Sequence, residues 1–430
     1  MTRARRLKPE GRKRCSQSNC RLPQLFASIL RLCYNPDSSP NTLNLTLPNR
    51  ESGFSLLVRN FAAQKERFPG AFHILKKAIE ARTFPACSLA VTFRGELVVH
   101  EAFGRLTYDL TSSEVTTASL FDLASLTKVV ATTAMAMNLY ERGVLDLEAP
   151  VAAIVPEFAE GSDTGPGDHD ARRRDVTVRM LLAHSSGLPA YERLFLRAKT
   201  RDGLLHAAFT TPLTAAPGAR AEYSDIGFII LGVALERLAD ESLDAFCQRE
   251  IFGPLGMAHT TFNPALALKD SIPPTADDRS FRHRVIQGEV QDENASVLGG
   301  VAGHAGLFST TEDLAIFAHT MLNGGHPILR ASTIELFTRR ESMPEGTSRA
   351  LGWDTPSKPS QSGKYFSARS FGHLGYTGTS LWIDPDRQLS ISLLSNRTWP
   401  DCQNQAMKQV RPAVHDAVVE ALEKREIKGH

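Results

Sequence analysis

Two hydrophobic periods run along this chain, and they occupy different regions. Near both ends, short apolar runs rich in β-branched residues and bounded by turn residues mark strands. Cys87–Phe93 and Glu96–Glu101 flank the turn pair Arg94-Gly95 and predict a hairpin. Thr379–Asp384 and Leu389–Ser395 flank the turn residues 385–388 and predict a second one. Helical spacing takes over elsewhere. Phe72, Leu75 and Ile79 share one face of a helix over Ala71–Glu80, which Pro85 ends. Val410, Val414, Val418 and Leu422 recur at the same spacing in a closing helix, Gln405–Lys424. From about 150 to 345 the pattern is mostly helical, most clearly over Val176–Ala183, Ile226–Leu238 and Leu243–Ile251.

Strands at both ends with helices between them predict an α+β fold. The N- and C-terminal strands make one antiparallel sheet, the first and last helices cover one face, and a mostly α-helical lobe is inserted between. The α/β part is expected over about 66–145 and 346–430, and the lobe over about 146–345. The active site is expected in the cleft between them. Residues 1–65 read as a basic arm and linker, with order starting near Phe68, and Gly161–Asp170 reads as a flexible surface loop.

Composition narrows the function classes. With 430 residues, 42% hydrophobic, 22% charged and a net charge of +2, the chain reads as an ordinary soluble protein with no expected nucleic-acid partner. No apolar run reaches the length of a membrane span, so no integral membrane segment is expected. The arm carries Arg3, Arg5, Arg6, Lys8, Arg12, Lys13, Arg14 and Arg21 before a short apolar run, Leu22–Leu30. Pro23 and Gln24 interrupt that run and no small-x-small cleavage site follows, which favours a cytoplasmic protein, with a periplasmic or exported one as the alternative. Six scattered cysteines and the lack of a metal-ligand spacing give no reason to expect a disulfide framework, a metal or a cofactor.

The candidate chemistry starts in the stretch Phe121–Val130. Ser125 and Lys128 stand three residues apart at the head of a run, Ala131–Tyr140, that reads as a buried helix. Positions i and i+3 share a helix face, so hydroxyl and amine can meet. Apolar neighbours Leu123, Val129 and Val130 supply burial, which lowers a lysine's pKa and lets it take the serine's proton. A helix N-cap with a solvated lysine is the bland alternative. Tyr223, at a loop-to-helix junction, could act as a base or acid if a neighbouring lysine cation lowered its pKa; an aromatic anchor is the plainer reading. The Gly-rich stretch Phe371–Thr379 opens a strand that another backbone could approach closely.

Ser125-x-x-Lys128, then Tyr223-Ser224-Asp225, then His373-Leu374-Gly375, in that order, resemble the three motifs of the β-lactamase-related serine hydrolases: class C β-lactamases, DD-peptidases and many esterases. The resemblance covers about 68–425, and the stretches 181–189, 251–257 and 303–309 also look like the family's. It implies a β-lactamase/transpeptidase-like fold and an acyl-enzyme on Ser125. Lys128 and Tyr223 would handle the proton, and the backbone N–H groups of Ser125 and Tyr376 would form the oxyanion hole. Asp225, His373, Leu374 and Gly375 would contact substrate. Glu293 and His304, around a glycine-rich loop, are either substrate contacts or loop architecture. His184 reads as a hydrogen-bonded structural histidine, and Trp353 as either pocket wall or filler.

Two motifs depart from the family's pattern. Asp225 stands where Asn is usual, and His373-Leu374 where Lys-Thr is usual. By charge alone the site is up to two units less positive, so a substrate with a free C-terminal carboxylate is expected to bind poorly. Protonation of His373 by Asp225 is the open alternative. The expected activity is hydrolysis of a small-molecule carboxylic ester, or of an amide or muropeptide derived from the cell wall, with weak action on β-lactams. A slow-deacylating penicillin- or muropeptide-binding sensor and a true β-lactamase or DD-carboxypeptidase are the alternatives.

Overall fold

The computed structural model describes residues 57–160 and 170–428. The basic arm, most of the expected linker and nearly all of the expected 161–170 loop lie outside the described residues.

Eleven strands occur among them: β1 (Val58–Arg59), β2 (Ala86–Phe93), β3 (Glu96–Gly104), β4 (Phe121–Asp122), β5 (Thr261–Phe262), β6 (Ala276–Asp278), β7 (Arg284–Ile286), β8 (Leu307–Ser309), β9 (Phe371–Leu374), β10 (Ser380–Asp384) and β11 (Leu389–Ser395). Six form the main sheet in the order β1-β3-β2-β11-β10-β9, so both predicted hairpins join one sheet. Its pairs are antiparallel except β1 with β3. Arg94 and Gly95 both take positive φ, 50° and 84°, which a two-residue turn between β2 and β3 requires. Strand β1 begins the described fold ahead of the expected start at Phe68, because two residues pairing along β3 carry too little pattern to register in sequence.

Side-chain alternation sorts the two faces of the sheet. On β10, Trp382 packs with Phe72, Leu75, Val414 and Val418 of the helices Pro69–Glu80 and Met407–Lys428. Its neighbours Leu381 and Ile383 join the other core, with Val129, Val130 and the lobe. Between Pro69 and Met407 the lobe contributes the helix Asp225–Ala239, whose residues 226–232 are all buried. Trp353 is fully buried against Phe371 and Phe317, and so fills the core rather than walling a pocket. Strands β4, β8 and β5 make a small second sheet and β6–β7 a third, both too short to be visible as patterns.

Candidate active site

Ser125 leaves β4 on a strained turn. Strand β4 is pinned to β8, with Leu123 N–H donating to Leu307 O at 2.9 Å. Ala124 then takes φ 47°, a conformation costly to a residue with a Cβ. Asp122 offsets that cost, its Oδ1 accepting the Ala124 N–H at 2.8 Å. The chain continues as one 3-10 turn, Ala124–Leu126, and a wide π-type turn, Lys128–Thr133, before the α-helix Ala134–Glu141. The expected i, i+3 pair is therefore formed, but on tightened and then widened turns rather than on a regular α-helix. Thr377 and Thr379 tie the turn to the sheet, their hydroxyls donating to Asp122 O and Leu123 O at 2.7 and 2.9 Å.

Ser125 Oγ receives two donors, Lys128 Nζ at 3.0 Å and Tyr223 OH at 2.7 Å. Lys128 is fully buried and spends its other contacts on Asp225 Oδ1 at 2.6 Å and the His304 carbonyl at 2.9 Å. Burial pushes its pKa down, while the Asp225 carboxylate pushes back. Tyr223 moves the opposite way to the sequence expectation. Burial, with the Asp225 anion added, raises its pKa well above the usual phenol value, so it sits as a neutral hydroxyl that donates to Ser125. The lysine, not the tyrosine, is the group whose environment favours a base.

Asp225, expected to contact substrate, faces the cleft and is also the ion-pair partner of Lys128. It enters at the N-terminus of the helix Asp225–Ala239, where the Ser224 hydroxyl accepts the Gly227 N–H at 3.0 Å as N-cap. His184 Nδ1 accepts the Ser224 N–H at 3.0 Å, and its ring packs on Tyr223, which fits the structural reading.

Protonation of His373 by Asp225 is overturned. The buried ring contacts the Leu374 carbonyl through Nδ1 at 2.8 Å, and burial with the Lys128 and Arg349 charges drives its pKa well below the ordinary histidine value. His304 lines the cleft as well; its Nε2 meets Asp292 Oδ1 at 2.8 Å, while its carbonyl holds Lys128. Glu293, Leu374, Gly375 and Tyr376 all line the cleft. Gly375 allows a close approach there, because a Cβ would lie 1.9 Å from Thr379 Oγ1 and 2.4 Å from Leu123 O.

The cleft has a volume of about 930 Å³ and runs from Ser125 past Tyr223 and His373. Two groups in it take roles that sequence reasoning does not reach. Asp292 caps the helix Glu293–Val297 and orients His304. Arg349 reaches the cleft from the segment before β9 and places its guanidinium 5.5 Å from the Tyr223 ring centre. No local motif announces either, since each meets its partner only through the fold. Among the described residues no group of three or more His, Cys, Asp or Glu side chains could hold a metal ion.

Comparison with known proteins agrees with this geometry. A family model described as beta-lactamase matches residues 71–412. An Escherichia coli (strain K12) protein provisionally named a D-alanyl-D-alanine carboxypeptidase is 34% identical over 73% of this chain and 79% of its own length. A Bacillus subtilis (strain 168) protein named N-acetylmuramyl-L-alanine amidase is 33% identical over 74% of this chain and 78% of its own. Among solved structures, EstCE1, titled a hydrolase with promiscuous acyltransferase activity, superposes with a TM-score of 0.68 at 20% identity, covering 83% of this chain and 99% of that one. At that identity the likeness concerns the fold. The chain is a serine hydrolase and belongs to the beta-lactamase family.

Proposed function

We propose that the chain hydrolyses a small amide derived from cell-wall peptide through an acyl-enzyme on Ser125. The observation that carries this reading is the convergence of Lys128 Nζ and Tyr223 OH on Ser125 Oγ at 3.0 and 2.7 Å. In its neutral form Lys128 takes the hydroxyl proton as Oγ bonds to the substrate carbonyl carbon. The backbone N–H groups of Ser125 and Tyr376 receive the oxyanion, a contribution of about 10²- to 10³-fold in rate per donor. The C–N bond then breaks, and the proton passes from Lys128 through Tyr223 to the leaving nitrogen. Water, deprotonated by the same pair, cleaves the acyl-enzyme and restores Ser125.

An amide from a peptide suits a cleft of about 930 Å³ better than a short ester does, and it accords with the names of the two relatives. Small activated esters are expected as secondary substrates. Neutral His373 and apolar Leu374, in place of the family's usual Lys-Thr, support weak action on β-lactams. The test is turnover of muropeptides, p-nitrophenyl esters and nitrocefin by the purified protein and by Ser125→Ala. Muropeptide cleavage abolished in the variant supports the reading. Efficient nitrocefin turnover, or acylation without release, overturns it in favour of a β-lactamase or a sensor.

A further inference from the structure

Arg282 stands between β6 and β7, outside the lining of the cleft, and its side chain is only 6% exposed. All three of its side-chain nitrogens are engaged. Nε donates to Asp278 Oδ2 at 2.8 Å. That carboxylate also accepts the backbone N–H groups of Ser280, Phe281 and Arg282, so it is a fixed support for the guanidinium. The other two nitrogens fork across consecutive carbonyls, Nη1 donating to Val290 O at 2.7 Å and Nη2 to Gln291 O at 2.6 Å. A buried ion pair thus clamps the segment just before Asp292 and Glu293, which line the cleft.

The clamp reaches the nucleophile through one peptide group. A trans peptide is planar, and its C=O and N–H point in opposite directions. The Val290 carbonyl that takes Nη1 therefore shares a rigid unit with the Gln291 N–H, which donates on the far side to Asp122 Oδ2 at 2.6 Å. Asp122 Oδ1 in turn accepts the Ala124 N–H at 2.8 Å. Guanidinium, peptide and carboxylate act in series, and a cation at the carbonyl end polarises the peptide and strengthens its N–H as a donor. The path ends at Ala124, whose φ of 47° persists only while its neighbours hold it, and the next residue is Ser125. We infer that Arg282 is a positioning residue for catalysis: held by Asp278, it fixes the Val290–Gln291 peptide against Asp122 and so keeps the strained turn that aims Ser125 Oγ at Lys128 and Tyr223. This inference rests on the acyl-enzyme reading above, because the path matters only if Ser125 reacts.

The test compares the wild-type protein with Arg282→Gln, Arg282→Lys, Asp122→Asn and the double variant Arg282→Gln/Asp122→Asn, each checked by circular dichroism to be folded at the assay temperature. The readouts are the rate at which a fluorophosphonate labels Ser125, and kcat and KM for a p-nitrophenyl ester. Arg282→Gln should slow labelling and kcat by about 10- to 100-fold, the scale of a displacement of about 1 Å, with KM within about threefold of wild type. Arg282→Lys, which keeps the charge and a donor for one carbonyl, should fall between the two. The double variant should be no more than about threefold slower than its slower parent, because Arg282 acts through Asp122. A residue that only secures the β6–β7 hairpin predicts a lower urea midpoint with labelling and kcat unchanged. That result, or losses that multiply in the double variant, overturns the inference while leaving the Ser125 reading intact. Should Arg282→Gln not fold, wild-type rates in Arg282→Lys or in Asp122→Asn overturn it equally. A wild-type protein that neither cleaves the ester nor is labelled at Ser125 refutes the acyl-enzyme reading and the inference with it.

Discussion

The pairing of Lys128 with Asp225 makes the pH dependence of catalysis a sharp test. In Asp225→Asn the amide oxygen can still accept from Nζ, so the perturbation is the loss of one negative charge beside a fully buried ammonium. Two unit charges about 4 Å apart attract by about 4 kcal/mol at an effective dielectric constant of about 20. This contact is closer, at 2.6 Å, but the Asp225 side chain is 17% exposed and water screens it. The acceptors at Ser125 and His304 also remain. A net loss of roughly 2–3 kcal/mol is expected. At about 1.4 kcal/mol per pH unit, this corresponds to about 1.5–2 units. The sign follows from the causes of the shift: burial lowers the Lys128 pKa and Asp225 raises it, so removing the carboxylate makes the proton easier to lose. If neutral Lys128 is the base, the acidic limb of kcat/KM for an uncharged p-nitrophenyl ester moves to lower pH by that amount. An acidic limb that stays in place or moves up refutes Lys128 as the base.

The elements legible in the sequence are those whose signal is local. Both hairpins, the helix facing the sheet through Phe72 and Leu75, and the closing helix follow from side-chain periods of two and 3.6 that burial then enforces. Ser125 and Lys128 are legible because one turn brings them together, and Tyr223, just before the N-cap of a strongly apolar helix, through its motif's resemblance to the family's. What failed concerns environment. The directions of the Tyr223 and His373 shifts depend on burial from every side, which a motif does not carry. Arg349 joins the site only once the segment before β9 packs against the helix bearing Lys128, where Gly352 N–H bonds to Leu182 O and a Cβ on Gly352 would collide with Thr133. Strand β1 and the two small sheets escaped notice because two or three residues cannot display a period.

Three further substitutions probe the scaffold. Gly375→Ala should lower kcat/KM for any ester at least about 10-fold, since the new methyl would meet Thr379 Oγ1 at 1.9 Å and Leu123 O at 2.4 Å and push the strand end away from Ser125; unchanged kinetics would refute that tight contact. Arg173, fully buried, donates to the carbonyls of Phe158, Phe209 and Thr211, so Arg173→Ala should cost about 3–5 kcal/mol in urea unfolding, against less than about 1 kcal/mol if those bonds are dispensable. Burial raises the Asp122 pKa to about 6, so its contribution to stability is fully present below the unfolded value near 4 and is lost as pH rises through about 6. The stability difference between wild type and Asp122→Asn should therefore shrink between pH 4.5 and 6.5, and a difference that grows with pH would contradict the raised pKa.

The central claim, that Ser125 is the nucleophile, is tested most directly by locating the covalent adduct. After reaction with a fluorophosphonate, peptide mapping of the wild-type protein should find one modified residue, Ser125, and Ser125→Ala should show no adduct and no ester turnover while remaining folded. An adduct on another residue, or undiminished turnover by Ser125→Ala, would contradict the account.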